Sequence, residues 1–420
     1  MVQKIKIALY FTLARYFSFF ARIRLRRWAP RVAILTGSNG KTVALHLAAV
    51  QLGQAAKYSF NANSAFGIPF DILGLKRKRF SIFEWPMLFL LAPFYAFRGP
   101  HPEKFYIVEV DGDRPGDADF FGPFLRPEVC IWLSSGRTHS MLFEGEVRRG
   151  IFNNVDEAIL YGFGRFLAYT SKLAIVNADN PRIVEHARRT DIALQEIKEE
   201  KMLEGYAVGI SGTEFTIAGI PYRVPYMLPK ETWYGLASSV MLAEYFGFRP
   251  TNDLSPLTLP PGRSSVLRGI KGTTIVDSSY NANVDSVVAI VNMVEGLDGE
   301  KCLILGDLIE QGALEEEEHE RLAHILAARN FKRFVLVGPR MRRYVKPILQ
   351  ESNKMVESFI GPKEALDHLQ STLHGNEILV FKGARFLEGI IEHLLADKSD
   401  AQKLCRREKV WQQRRKKWGL

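Results

Sequence analysis

The stretch that most constrains this chain is Val32-Ala33-Ile34-Leu35-Thr36-Gly37-Ser38-Asn39-Gly40-Lys41-Thr42. An apolar run ends in a glycine-bracketed loop, and Val43 to Leu52 continues with helical character. A buried parallel strand feeding a tight turn and a helix N-terminus is a phosphate site, because backbone N–H groups and the helix dipole face the anion. Gly37 and Gly40 let the backbone approach it, and Ser38 and Asn39 complete the loop. Lys41 is expected to reach the β- and γ-phosphates, and Thr42 to place its hydroxyl on Mg²⁺. The longer form of this loop has a glycine where Leu35 stands, so the pattern here is the shorter Gly-x-x-Gly-Lys-Thr.

A chain of 420 residues predicts two or three domains. Cys130, Cys302 and Cys405 are far apart and form no CxxC pair, which points to neither a disulfide framework nor a zinc site. No apolar run reaches the length of about 18 residues that spans a bilayer. The net charge of +10 is uneven, with eight Lys/Arg and no acid in residues 1–31, and eight against Glu408 alone in residues 401–420. The body between is therefore net acidic, so the totals argue against nucleic acid as a partner, and it is the ends that would meet acidic surfaces.

Residues 2–28 alternate apolar and basic clusters. Ile5, Ile7, Leu9, Tyr10, Phe11 and Leu13 come first, then Tyr16, Phe17, Phe19 and Phe20, then Arg22, Arg24, Arg26, Arg27 and Trp28, with Lys4, Lys6 and Arg15 interspersed. Two readings stay open: an interfacial helix with aromatic anchors, or a helix that packs on the body. Residues 81–98 form a second apolar patch, expected to be broken by Pro86 and Pro93, and either a core segment or a membrane-facing surface. Asn61 to Pro69 reads as a polar loop.

Strands are expected at Lys57–Phe60, Phe105–Val110, Val129–Leu133 and Leu173–Val176, short meandering strands over 193–228, and a helix over 231–246. The proline-rich Thr251 to Gly262 is the linker candidate, and strands at 273–277, 301–305, 333–337 and 377–381 predict a second parallel α/β unit. Glu109 and Asp111 end one strand and His139 follows another, which is where α/β sheets bind ligands.

These residues together resemble a known family. Thr36 to Thr42, Glu109, His139 and Asn177-Ala178-Asp179-Asn180-Pro181 look like the central ATPase domain of Mur ligases. Pro261-Gly262-Arg263, Asp277-Ser278-Ser279-Tyr280-Asn281-Ala282-Asn283, Leu305 to Gly312 and Lys382-Gly383-Ala384-Arg385 look like their C-terminal domain. Tyr-Asn-Ala-Asn and Gly-Asp-x-x-Glu-x-Gly are closest to the D-alanyl-D-alanine-adding branch. The resemblance covers about residues 31–395.

The resemblance implies an α/β protein, with a P-loop central ATPase domain built on a parallel sheet and a C-terminal Rossmann-like domain. The expected divisions are a basic amphipathic segment at 1–30, the ATPase domain at 31–258, the second domain at 259–400 and a basic tail at 401–420. It implies ATP-dependent amide ligation in cell-wall precursor synthesis: an acceptor carboxylate takes the γ-phosphate, and an amino-acid or dipeptide amine displaces phosphate. ATP and Mg²⁺ are the implied cofactors, with Thr42 on one ion and Glu109 and His139 on a second. Arg263, Asp277 and Asn281 would hold nucleotide, with closure by a hinge near the linker. Asn63, Asp307, Lys382 and Arg385 would face substrate.

Two departures accompany it. The family's UDP-gripping N-terminal domain has no counterpart in the roughly 30 residues before the loop. The family's carbamoylated lysine, a metal ligand, also has no match: Lys172 lies too late, and Asp156 or Glu157 occupies the right stretch. The expectation is thus a cytoplasmic enzyme, docked at the inner membrane face through its basic ends, acting on a small-molecule or lipid-linked acceptor. The alternatives are a non-catalytic nucleotide-binding homologue that serves as a partner or scaffold, and a poly-amino-acid synthetase outside peptidoglycan.

Overall fold

The computed structural model describes residues 2–60, 62–77 and 82–420, without the side chains of residues 2–9 and Ile82. Asn61 and Ser81, and the side chains of Lys4, Ile5, Lys6, Ile7 and Leu9, therefore lie outside the described residues. The chain forms two compact units. The first comprises residues 1–136, 145–203 and 232–251, and the second 137–144, 204–231 and 252–420.

In the first unit β1 (Arg31–Thr36), β2 (Ala56–Tyr58), β3 (Phe105–Glu109), β4 (Val129–Trp132), β5 (Leu173–Asn177) and β6 (Ala193–Ile197) form one sheet in the order β2-β3-β1-β4-β5-β6. All of its pairings are parallel. The central strands are uninterrupted apolar runs because helices cover both faces of such sheets. β1 lies between β3 and β4, so the connections leave it in opposite directions and a crevice opens at its C-terminal end. α2 (Lys41–Leu52) follows β1 and packs on the helix Thr232–Tyr245. Gly235 makes this approach possible, since a Cβ there would lie 3.1 Å from that of Ala44. Ala193–Ile197, expected in a meander, instead pairs with β5 at the sheet edge.

α1 (Val2–Trp28) packs on α3 (Gly67–Leu73) and α4 (Trp85–Ala96). Its buried Phe17 meets the rings of Phe70 and Phe89, each at 4.8 Å between centroids, and those of Phe66 and Trp85. Buried Arg24 donates to the carbonyls of Leu73 at 3.0 Å and Tyr95 at 2.9 Å, near the ends of α3 and α4, where unpaired carbonyls favour a cation. The two prolines do not break α4. Pro86 sits in the first turn, where no N–H is needed. Pro93 cannot bond the carbonyl of Phe89, and the Tyr16 hydroxyl donates to that oxygen at 2.8 Å. Among the described residues no helix is long and apolar enough to cross a membrane.

The second unit contains the three-stranded sheet β7 (Leu203–Gly209), β8 (Gly212–Ile217) and β9 (Ile220–Val224). Its six-stranded sheet has β10 (Ser265–Arg268), β11 (Thr274–Ser278), β12 (Lys301–Gly306), β13 (Arg333–Val337), β14 (Met355–Phe359) and β15 (Ile378–Lys382) in the order β10-β11-β15-β12-β13-β14. β10 is antiparallel at one edge and the other pairings are parallel. Cys130 in β4 and Cys302 in β12 are buried, and burial pushes each thiol up to about 12.

The basic tail at 401–420 is folded onto the second unit. Arg407 pairs with Glu392 at 2.6 Å, and buried Arg415 and Arg406 face the fully buried Glu388 at 3.5 and 3.4 Å. These guanidinium groups give the buried Glu388 carboxylate its ion-pair partners.

Phe17→Ala should lower stability by about 3–5 kcal/mol, the cost of emptying a buried aromatic site. The midpoint of denaturant unfolding checks this, and a loss below about 1 kcal/mol would show that α1 is not anchored through that ring.

Candidate functional site

The loop after β1 is held by the end of β4. Gly37 has φ 130° and Gly40 φ 85°, both in the left-handed region that favours glycine. A Cβ on Gly37 would lie 2.8 Å from the backbone of Ser134. Ser38 N–H donates to the Ser134 carbonyl at 3.3 Å, and Asn39 N–H to the Ser134 hydroxyl at 2.8 Å. Gly136 N–H donates to the Ser38 hydroxyl at 2.7 Å. Gly40 caps α2 with no side-chain bond, so the first N–H groups of that helix are left to a ligand or solvent.

Lys41 is buried; its ammonium donates to the Gly37 carbonyl at 2.6 Å and lies 3.7 Å from Asp111. The Thr42 hydroxyl donates to Glu109 at 3.1 Å. Glu109 is buried at the end of β3, its backbone N–H bonded to the Ser59 hydroxyl at 2.9 Å. Burial and the neighbouring Asp113 raise the Asp111 carboxyl well above the ordinary range, while Lys41 pulls it down. The Thr42 hydroxyl and the Glu109 carboxylate are hard oxygen donors, the type that Mg²⁺ takes, so this pair fits the implied ion. Asn63 offers its carbonyl to Asp111 N–H at 3.2 Å.

The Asn177 to Pro181 segment supports the same edge. Asn177 donates to the Leu133 carbonyl at 3.0 Å and Asn180 to the Ser135 hydroxyl at 3.1 Å. Asn180 also caps the helix Pro181–Ala187. Of the two proposed substitutes for a carbamoylated lysine, Glu157 is turned onto Asn153, whose side-chain amide donates to it at 2.9 Å. Asp156 lies beside it in the first turn of the helix Val155–Gly164.

The remaining expected residues belong to the second unit. His139 has φ 49°, and its Nδ1 pairs with Glu310. Glu109 and His139 thus lie in different units, each engaged within its own. Among the described residues no cluster of three or more His, Cys, Asp and Glu side chains is arranged to hold a metal.

β11, β15 and β12 place Asp277, Lys382 and Asp307 at the ends of adjacent strands. Asp277 is fully buried and accepts from the Ser279 hydroxyl at 2.6 Å, while its Oδ2 has no hydrogen-bond partner among the described residues. Burial raises this carboxyl, opposed by the Ser279 bonds. The Arg263 guanidinium lies 4.5 Å from the Tyr280 ring centroid, and Asn281 accepts from Ala282 N–H at 2.9 Å. Lys382 is buried with its ammonium 3.5 Å from the Ser278 hydroxyl. Burial and Arg263 lower it to about 7, against the pull of Asp277.

Asp307 is fully buried. Its Oδ1 accepts backbone N–H groups of Arg340 at 3.1 Å and Met341 at 3.0 Å, and its Oδ2 takes Arg385 Nε at 2.8 Å and Nη2 at 2.7 Å. Arg385 and Phe386 have φ 78° and 60°, costly for residues with a side chain, and Asp307 holds this turn. Asp307 therefore acts through Arg385. The residues that sequence reasoning missed are Ser134, Glu310 and Arg340. Glu310 lies within the quoted segment 305–312, but no spacing rule singles out either it or Ser134.

Each six-stranded α/β sheet thus carries its candidate residues at strand C-terminal ends, a glycine loop at the switch point of the first and a cluster of acidic and basic groups on the second, where open α/β sheets bind ligands. Residues 262–385 match the family model described as Mur ligase, glutamate ligase domain. The chain is similar to Mur ligases, and among them to the D-alanyl-D-alanine-adding enzymes. It is 23% identical over 395 residues to the UDP-N-acetylmuramoyl-tripeptide--D-alanyl-D-alanine ligase of Bacillus subtilis, covering 89% of this chain and 78% of that one. The Escherichia coli protein of the same name is 24% identical over 335 residues, covering 75% and 66%. The crystal structure of MurF ligase from Thermotoga maritima in complex with ADP matches with a TM-score of 0.72 at 19% identity, covering 93% of this chain and 84% of that one.

Lys382 generates a pH test. The folded chain releases this proton near pH 7, whereas an unfolded lysine holds it to about 10.5. Between those values the unfolded state binds more protons, so this residue makes stability rise with pH across that window. Lys382→Met should flatten that rise in denaturant titrations at successive pH values, and an unchanged slope would refute the buried, uncharged lysine.

Proposed function

We propose that the chain is an ATP-dependent, ADP-forming amide ligase of the D-alanyl-D-alanine-adding kind, working in peptidoglycan precursor synthesis. The observation that carries it is the Gly37–Thr42 loop with Lys41 buried beneath it and Thr42 bonded to Glu109. On this reading the acceptor is a peptide carboxylate on a UDP-linked muramoyl tripeptide, and the amine is a D-alanyl dipeptide. The carboxylate oxygen attacks the γ-phosphorus of ATP, the bond to the β-phosphate oxygen breaks, and ADP leaves. The dipeptide amine then attacks the acyl carbon, loses a proton, and phosphate departs.

The chain's contribution is placement and charge. Backbone N–H groups of residues 40–42 and the Lys41 ammonium would face the phosphates as negative charge shifts onto the leaving oxygen. Bound Mg²⁺ would use Thr42 and Glu109 and would neutralise phosphate charge. In the second unit Arg263, Asp277 and Asn281 are assigned to nucleotide, and Lys382 and Arg385 to the incoming amino compound. Asp307 positions Arg385. His139 keeps its assignment as a ligand of a second ion, for which it must leave Glu310. A lipid-linked acceptor is the variant of this reading in which the same carboxylate is presented at a membrane.

A second reading is a catalytically silent, nucleotide-binding homologue. The position of Glu157 favours it, because that carboxylate is committed to Asn153 rather than left to replace the family's carbamoylated lysine.

ADP release by the purified chain with UDP-N-acetylmuramoyl-tripeptide and D-alanyl-D-alanine separates the two. Turnover with formation of the pentapeptide product is expected; nucleotide binding without ADP release would establish the silent homologue.

Lys41→Ala should lower turnover by on the order of 10²-fold or more, because a group facing the developing phosphoryl charge is lost. Near-normal ADP release from that variant would remove the loop from the mechanism.

A further inference from the structure

α4 is apolar on all sides, yet among the described residues the first unit covers only one of them. Leu88, Ala92 and Ala96 are buried on its inner side. Met87, Leu90, Phe94 and Phe97 fall within an arc of roughly 80° on the other, at 100° per residue. Leu90 is 70% exposed, Phe94 73% and Phe97 64%, and Phe83, in the turn before α4, is 87% exposed. Isolated exposed apolar residues are ordinary, but five in one stripe are not. Pro86 also stands exposed in its first turn.

α1 supplies the complement. Arg15, Phe19, Arg22 and Arg26 share one side of that helix, with Phe19 60% exposed. Residues 2–28 contain no acid. The Arg27 guanidinium lies 5.8 Å from the Phe97 ring centroid, so the basic helix borders the apolar stripe. Three basic side chains of the tail are differently placed, since Arg406, Arg407 and Arg415 are committed to Glu388 and Glu392.

We propose that the outer face of α4, with the arginine stripe of α1, docks on an anionic phospholipid surface. A helix lying in the interface buries its apolar side among acyl chains while adjacent cations meet lipid phosphates. The charge selects this occupant over a second copy of the chain, because a two-fold contact would bring the arginine stripes towards each other. The contact is peripheral, made by one side of a helix already anchored to the protein through Phe89 and Leu88.

The test uses the full chain with phosphatidylcholine vesicles containing about one third phosphatidylglycerol, which supplies the surface potential. The wild type should co-sediment. Leu90→Asp combined with Phe94→Asp should weaken binding by about 100-fold, since each loses an apolar anchor of roughly tenfold worth or more. Both residues are solvent-exposed and distant in sequence from the loop, so circular dichroism should be unchanged. Arg15→Gln, Arg22→Gln and Arg26→Gln together should weaken binding to anionic vesicles and leave any binding to pure phosphatidylcholine unaltered. In Phe94→Trp, the new indole should shift to the blue on adding vesicles. Three results would overturn the proposal: no binding by the wild type at low salt, equal binding by the Leu90/Phe94 variant, or self-association abolished by that variant without vesicle binding. The last would make the stripe an interface between copies.

Discussion

The contact between the Gly37 loop and Ser134 is the constraint on which the first unit's chemistry depends. A loop that turns from a central strand into a helix must be stiff, or its N–H groups will not converge. Here the turn rests on the next strand's exit, with no room for even one carbon atom between Gly37 and the Ser134 backbone. The Ser134 hydroxyl accepts from Asn39 N–H and donates to its carbonyl, so one side chain fixes both ends of that peptide segment. Asn177 and Asn180 then secure the residues on either side of Ser134. Lys41 and Thr42 inherit their direction from this chain of contacts.

The second unit solves a comparable problem with charge. Asp307 is isolated from solvent, and its oxygens are shared between two backbone N–H groups and the Arg385 guanidinium. Arg340 adds a further cation and itself pairs with Glu315. A carboxylate in such surroundings cannot move without stranding its partners, which makes the Lys382 to Phe386 turn rigid despite its two left-handed non-glycine residues.

Much of this architecture is legible in the sequence. Continuous apolar runs such as Val32–Leu35 and Ile378–Phe381 read as buried strands because parallel sheets are covered on both faces. Edge strands were harder. Met355–Phe359 alternates buried with exposed positions, and Ser265–Arg268 is short and partly polar, so neither stands out from a loop. The sequence reads Ala193–Ile197 as part of a meander over 193–228, and only its pairing with β5 reveals its place. Pro93 reads as a helix stop because the hydroxyl that bonds the carbonyl it leaves free, that of Phe89, comes from Tyr16, 73 residues before Phe89. The loop residues were readable since their chemistry is local. The roles of Ser134, Glu310 and Arg340 were not, since each acts on a partner distant in sequence. The tail's inward contacts are hidden for a related reason: Arg407 and Arg415 pair with the half-buried Glu392 and the buried Glu388, which lie on an earlier helix.

The buried cysteines give the molecule a property that its chemistry does not use. Cys130 lies in the first unit's sheet and Cys302 in the second's, and both thiols are held in a protonated, inert form. An alkylating reagent can reach either one only while the surrounding strands are parted, since the thiolate is the reactive species. Cys405, near Ser279, marks the docked tail in the same way. The three sulfurs are thus built-in clocks, and the rates at which they become labelled would time the opening of each sheet, and the release of the tail, within one unmodified chain.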